Sequence, residues 1–173
     1  MTHDAAVAAV RATIDDAVRR LAAAGAREEW LGEVVVPRRI LGVGRPPRID
    51  RRGRVWRVGA LLLARDGSVH ATGTITRVTD PGRPQGLTAS VELRRAERAA
   101  ALAGGFALGE VVNHGTAPIP IDASLVDAPA DAVLAIRDDV AWVRWGRTAA
   151  ERTRLDAYLA DQVDLLVHPP QGA

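Results

Sequence analysis

"VWRVGALLLARDGSVHATGTITRV", residues 55–78, decides how the chain is read. Two runs rich in Val, Leu, Ile and Thr flank Asp66-Gly67, a dipeptide suited to the positive φ angles of a tight hairpin turn. The pattern predicts a β-hairpin closed by a two-residue turn, with Gly67 at positive φ. In that register Arg65 faces Ser68, Ala64 faces Val69, Leu62 faces Ala71, Ala60 faces Gly73, Val58 faces Ile75 and Trp56 faces Arg77. One face then collects Trp56, Val58, Ala60, Leu62, Ala64, Val69, Ala71, Gly73 and Ile75, all apolar or glycine. The other carries Arg57, His70, Thr72, Thr74 and Thr76, with Leu61 and Leu63 covered by another element. Side chains alternate with a period of two, so a slip of one residue would exchange the faces. His70 is read as a partly buried structural residue at the edge of that cover.

Upstream, residues 4–25 read as a helix. Val7, Val10, Ile14, Val18 and Leu21 recur at helical spacing, Asp4 can cap the start and Gly25 can end it. Asp15/Arg19 and Asp16/Arg20 make i,i+4 pairs on its wet face. Residues 31–37, "LGEVVVP", read as a short strand stopped by Pro37. Downstream, a helix spans residues 90–103, another strand 108–112, and 113–122 is irregular. Residues 132–145 read as a second hairpin turning at Asp138-Asp139. A closing helix over 148–167 is opened by a capping box, Thr148 and Glu151. "LGEVV" occurs at both 31–35 and 108–112. It reads either as the mark of a duplicated helix-strand-hairpin unit or as coincidence in a biased chain.

The fold class that follows is α+β: antiparallel hairpins at 55–78 and 132–145 in one or two small sheets, packed with about three helices. A length of 173 residues suits a single domain over 1–173. Aromatics make up only 3%, so the core falls to Ala, Val, Leu and Ile. All 23 basic residues are arginine, with no lysine, which reflects a coding bias toward Ala, Arg, Gly and Pro. The formal net charge of +2 is not that of a nucleic-acid-binding chain.

Absent residues exclude whole classes of chemistry. Without lysine there is no Schiff base, Ser-Lys dyad or P-loop lysine. Without cysteine there is no disulfide, thiolate metal site or thiol nucleophile. No apolar run is long enough to span a membrane, and the start has no leader pattern, so a cytoplasmic location is expected. No metal site and no cofactor are expected; partner and oligomeric state are left open.

Candidate nucleophiles are Ser68, Ser90, Ser124, the threonines and Tyr158, none in a G-x-S-x-G elbow. Asn113, His114 and Gly115 are read as a turn in which the side chains bond local backbone. Should the chain hold a catalytic or ligand site, His114, His70, Glu110 and Asn113 are the residues expected to form it. Arg144 and Arg147 could bind an anion, or pair with neighbours such as Glu151.

The stretch "RRILGVGRPPRIDRRGRVWR", 38–57, sets Arg38, Arg39, Arg45, Arg48, Arg51, Arg52, Arg54 and Arg57 against a single acid, Asp50. An arm for nucleic acid would interleave its arginines with aromatics, and Trp56 alone is present. The favoured reading pairs these arginines with Asp50, Glu28, Glu29, Glu33 or the acidic C-terminal region. The other reading is a weak phosphate or nucleic-acid binder, with Arg51 and Arg52 as anion ligands.

"VWRVGALLLARDGSVHATGTITR" and "LAGGFALGEVVNHGTAPI" resemble a family of short actinobacterial proteins, some labelled "glutaminase", over roughly residues 55–120. The resemblance implies amide hydrolysis, yet it carries over no catalytic residue. The serine-type enzyme that the label evokes would use a serine-lysine dyad, and the amidotransferases need a thiol; this chain has neither. A small binding or interaction protein without catalysis is therefore the leading expectation. A hydrolase near His114 and His70 stands second.

Overall fold

The structure is a computed structural model and describes residues 3–37, 46–83, 88–146, 148 and 150–169. Its elements in chain order are α1 (His3–Ala23), β1 (Glu29–Val35), β2 (Arg48–Val58), β3 (Leu61–Ala64), β4 (Val69–Ala71), β5 (Thr74–Arg77), α2 (Ala89–Ala103), β6 (Val111–His114), β7 (Ala117–Ile119), β8 (Leu134–Arg137), β9 (Val140–Arg144), β10 (Arg152–Arg154) and α3 (Leu155–Val167). The fold is α+β: among the described residues there are three α-helices and two sheets, of strand order β5-β6-β1-β2-β3-β4-β7 and β10-β9-β8. The β1–β6 pair is parallel, which makes the longer sheet mixed. Among the described residues no helix is long and apolar enough to cross a membrane.

The chain divides into two compact units, each built from separated segments. The first comprises Met1–Glu28, Val55–Thr72 and Ala117–Ala173, the second Glu29–Arg54 and Gly73–Thr116. Strand β2 supplies residues to both.

In the first unit, α1 buries Val7, Val10, Ile14 and Leu21, four of the five apolar positions that mark its period. It ends in a Schellman pair: Ala26 N–H donates to Leu21 O at 3.0 Å and Gly25 N–H to Ala22 O at 3.1 Å. That apolar stripe joins Trp56, Val58, Leu61, Leu63 and Val69, then Leu134, Ile136 and Val143, and Leu155, Tyr158, Leu159 and Val163 of α3 in one core. Strands β8 and β9 turn at Asp138-Asp139, both at positive φ (51° and 63°), as a two-residue hairpin of the primed type requires.

The 55–78 segment differs from its expected register, for two reasons. First, the chain turns twice. Gly59-Ala60 forms a two-residue turn that pairs Val58 with Leu61 and Trp56 with Leu63. Gly59 has a φ of +61°, and a Cβ there would strike the Tyr158 hydroxyl. Second, the loop at Asp66-Gly67 has three residues. Ala64 N–H donates to Ser68 O at 3.0 Å, Gly67 N–H donates to Ala64 O at 3.1 Å, and Gly67 adopts φ +81°. This is a type I turn followed by a left-handed glycine, the usual three-residue alternative. It pairs Leu63 with Val69 and Leu62 with His70, one residue from the expected register. Trp56 and Leu62 therefore point to opposite sides of the sheet, and the core face is Trp56, Val58, Leu61, Leu63 and Val69.

The closing helix begins at Leu155, seven residues later than expected. Thr148 and Glu151 do contact each other, through Thr148 N–H and hydroxyl on Glu151 Oε2 at 2.7 and 2.9 Å. They close a turn ahead of β10, which pairs with β9, and do not cap a helix.

In the second unit, Ile49, Val78, Ala100, Ala101, Phe106 and Val112 form a smaller core, with Trp30 packed against it. The two LGEVV segments are not equivalent here. The first lies wholly within β1, and Gly32 is packed so closely that a Cβ would lie 2.5 Å from Ile49 Cγ2. In the second, Gly109 lies in a loop with φ +88°, and only Val111 and Val112 enter β6. Asn113 and His114, expected in a turn, continue that strand; the turn comes after them.

Both turn glycines are set by backbone conformation, but Gly59 is pressed harder: its Cβ would strike the Tyr158 hydroxyl, whereas that of Gly67 would meet only the end of Asp15, at 3.3 Å. Gly67→Val should lower the unfolding free energy by about 1 kcal/mol or more. Gly59→Ala should cost more than Gly67→Ala, because its methyl also displaces Tyr158. Urea unfolding with unchanged m-value measures both, and equal losses at the two glycines would contradict the packing described.

Candidate functional site

The four residues expected to form a site belong to different surroundings. In the second unit, His114 is 4% exposed and its Nε2 lies 3.0 Å from the Thr76 hydroxyl. The pairing of β5 with β6 explains the contact: Thr76 faces Val112 and Thr74 faces His114, so Thr76 and His114 are diagonal neighbours on one face. Asn113 is fully buried on the other face and donates to Glu29 Oε2 at 2.7 Å. Glu110 accepts from Trp30 Nε1 and from Ala107 N–H, both at 2.8 Å. Those two hydrogen bonds, aided by the charges of Arg51 and Arg54, hold its carboxyl below the usual range. Each of these polar groups is held by protein partners.

The arginines of the 38–57 stretch that fall within the described residues are likewise engaged. Arg48 pairs with Asp50 at 2.6 Å and Arg52 with Glu33 at 2.5 Å. Arg51 donates to Gly105 O and lies 3.6 Å from Glu110. Arg54 and Arg51 stack over the Trp30 ring at 3.5 and 4.6 Å from its centroid, and Phe106 meets the same ring edge-on at 5.9 Å. This arginine-aromatic stack escaped the sequence reading because Trp30 lies outside the stretch. Exposed ion pairs of this kind add little stability, but they do occupy the guanidinium donors. Arg38, Arg39, Arg45 and Arg147 lie outside the described residues. Arg144 spends its side-chain donors on the carbonyls of Asp131 and Gly146.

His70, in the first unit, has a different environment. It lines a cleft of about 570 Å³ with Arg11, Ile14, Asp15, Asp66, Gly67, Ser68, Val69 and the 118–121 segment. The volume is within the range of small-molecule sites. Pairing of β4 between β3 and β7 puts His70 opposite Leu62 on one side and Pro118 on the other. Its Nδ1 is buried and has no hydrogen-bond partner among the described residues. A buried donor without a partner costs more than a buried acceptor, which favours the tautomer with the proton on Nε2. Asp66 accepts from Ser68 N–H at 2.9 Å, and Ser68 holds this carboxyl below its ordinary value. Arg11 is fixed by donating to Ile121 O from Nε at 3.1 Å and from Nη2.

Ser68, His70 and Asp66 have the residue types of a hydrolytic triad, but the connections are not those of one. Ser68 turns to Asp66, and among the described residues no carboxylate holds His70 Nδ1. Ser124 is committed to Asp122, and Ser90 lies 3.2 Å from the Thr88 hydroxyl. Among the described residues no group of three His, Asp or Glu side chains could hold a metal ion. Comparison with known proteins finds no matching family model, curated sequence or solved structure.

Burial pushes His114 below the ordinary value of 6.5, with the Glu97 charge acting the other way. Burial lowers His70 as well, opposed by Asp66. A histidine depressed in the folded state is protonated first in the unfolded chain. Stability is therefore full above the unfolded value near 6.5 and declines as pH falls toward the folded values. The urea midpoint should drop between about pH 7.5 and about pH 5.5. His114→Gln should flatten part of that slope; a midpoint that holds or rises on acidification would contradict the burial of both rings.

Proposed function

We propose that the chain is a small cytoplasmic binding protein that holds a small organic ligand in the His70 cleft and performs no chemistry on it. The observation that carries this reading is the imidazole of His70, which lines a roomy cleft while its Nδ1 is sealed without an orienting partner. A general base needs such a partner to fix its tautomer and to stabilise the imidazolium that forms. A binding group needs only a presented donor. The wall of Pro118, Ile119, Pro120 and Ile121 suits an apolar portion of the ligand. Asp15 and Asp66 against one guanidinium favour a ligand that carries an amine.

Two other readings have less support. A glutaminase-like hydrolase would need a nucleophile that substrate can reach, and the hydroxyl that contacts an imidazole, Thr76 on His114, is buried with it. Nucleic-acid binding through residues 38–57 competes with the acidic and aromatic partners of Arg48, Arg51, Arg52 and Arg54, so affinity for nucleic acid should be weak and non-specific at physiological salt.

Titration with putrescine and tyramine, followed by amide and imidazole NMR, tests the proposal. Saturable shifts are expected at Gly67–His70 and at Ile119 and Ile121, weakened about fivefold or more by Asp66→Asn, which keeps the turn acceptor and removes the charge. No saturable shift with either amine would overturn the ligand class. Ammonia release from glutamine that disappears in His70→Ala would overturn the absence of catalysis.

A further inference from the structure

We infer a second small-molecule site in the first unit, apart from the His70 cleft, built around the exposed ring of Trp145 and suited to a neutral saccharide. Arg57, Gly59, Ala60, Thr72, Trp145, Thr153, Tyr158, Asp161 and Gln162 line a cleft of about 570 Å³ there. The floor is the turn at Gly59-Ala60, locked from below. Tyr158 is buried, its hydroxyl accepts from Ala60 N–H at 2.7 Å, and Thr72 N–H donates to Ala60 O at 3.1 Å. One side is the exposed flank of α3, with Asp161 and Gln162. The other is Trp145.

Trp145 is 55% exposed, while every other aromatic side chain is buried or half-buried. Leaving so much indole in water forgoes the stabilisation that burial would give, and tryptophan is a residue type enriched where proteins make contacts. The ring is also held in place. Its Nε1 donates to the Thr153 hydroxyl at 3.1 Å and its backbone N–H to Glu151 O at 3.0 Å. Glu151 is held in turn by the N–H and hydroxyl of Thr148. An immobilised aromatic face loses little entropy when a ligand settles on it.

The polar groups around it select the ligand. Asp161 only accepts, Arg57 only donates, and Gln162 and Thr72 do both. One acid and one base leave the cleft near neutrality. A ligand whose every polar group both donates and accepts satisfies this set, and hydroxyls are such groups. An indole face adds a demand for a flat, C–H-bearing surface. A pyranose ring meets both conditions; a linear polyol meets only the first.

Titration with maltose and with glycerol, read by the Trp145 indole N–H and the backbone amides of Ala60, Thr72, Asp161 and Gln162, tests the inference. Maltose at millimolar concentration should shift these signals saturably, and glycerol should not. Trp145→Ala should weaken maltose binding about tenfold or more, and Asp161→Asn should weaken it while leaving the fold intact by amide dispersion. Absence of a saturable maltose response would overturn the site. So would a response that survives Trp145→Ala unchanged, or saturation by glycerol or a free amino acid in place of maltose. Because these signals belong to other elements than those that line the His70 cleft, failure of either site is read separately.

Discussion

Trp56 is the side chain on which the first unit depends. It is the largest residue with no exposed surface, and its bulk must be buried with its one donor satisfied. Both conditions are met at once: Nε1 donates to Ala26 O at 3.0 Å, just past the Schellman end of α1. The carbonyl is in place because the helix stops where it does. The ring is on the core side because β2 enters its turn at Gly59. A shift of one residue at either place would leave the indole N–H buried without a partner, at a cost of roughly 1–3 kcal/mol. The end of a helix and the register of a sheet are thus coupled through one hydrogen bond.

That coupling explains what could be read from the sequence and what could not. Helix α1, helix α2 and the β8–β9 hairpin were legible because their signals are local: apolar spacing, a terminal glycine, an Asp-Asp turn. The 55–78 segment misled for the same reason. Asp66-Gly67 fits a two-residue turn by local rule, and the resulting face of Trp56, Val58 and Leu62 looked self-consistent because both faces of β3 are apolar. The competing signal was Gly59, whose necessity comes from Tyr158, almost a hundred residues away in sequence. The Thr148–Glu151 contact formed as expected but served a strand turn, since the same two side chains can brace either structure.

The candidate site was legible in part. His70 was visible as a polar residue on an apolar hairpin; its sealed Nδ1 and the cleft beside it depend on β7, which the sequence presents as irregular "TAPIPID". His114 and Asn113 looked like a turn because Gly115 follows them. They are buried strand residues with side-chain partners, and the parallel pairing of β1 with β6 beside Asn113 leaves no short-range trace. The Trp30 stack and the Trp145 platform each join residues from separate stretches of the chain, so neither has a linear signature.

Pro118 has a further consequence. It lies in β7, the last strand of its sheet, opposite His70. An outer strand ordinarily offers a row of amide groups to any passing chain, and a proline at its centre removes one donor and fixes the local backbone angle. In a strand of only three residues that interruption breaks the pattern a new partner would need to zip onto. The residue that borders the His70 cleft thereby also acts as a guard against edge-to-edge aggregation. Exchanging it for a β-branched residue would restore the missing donor and open that border to fibrillar growth.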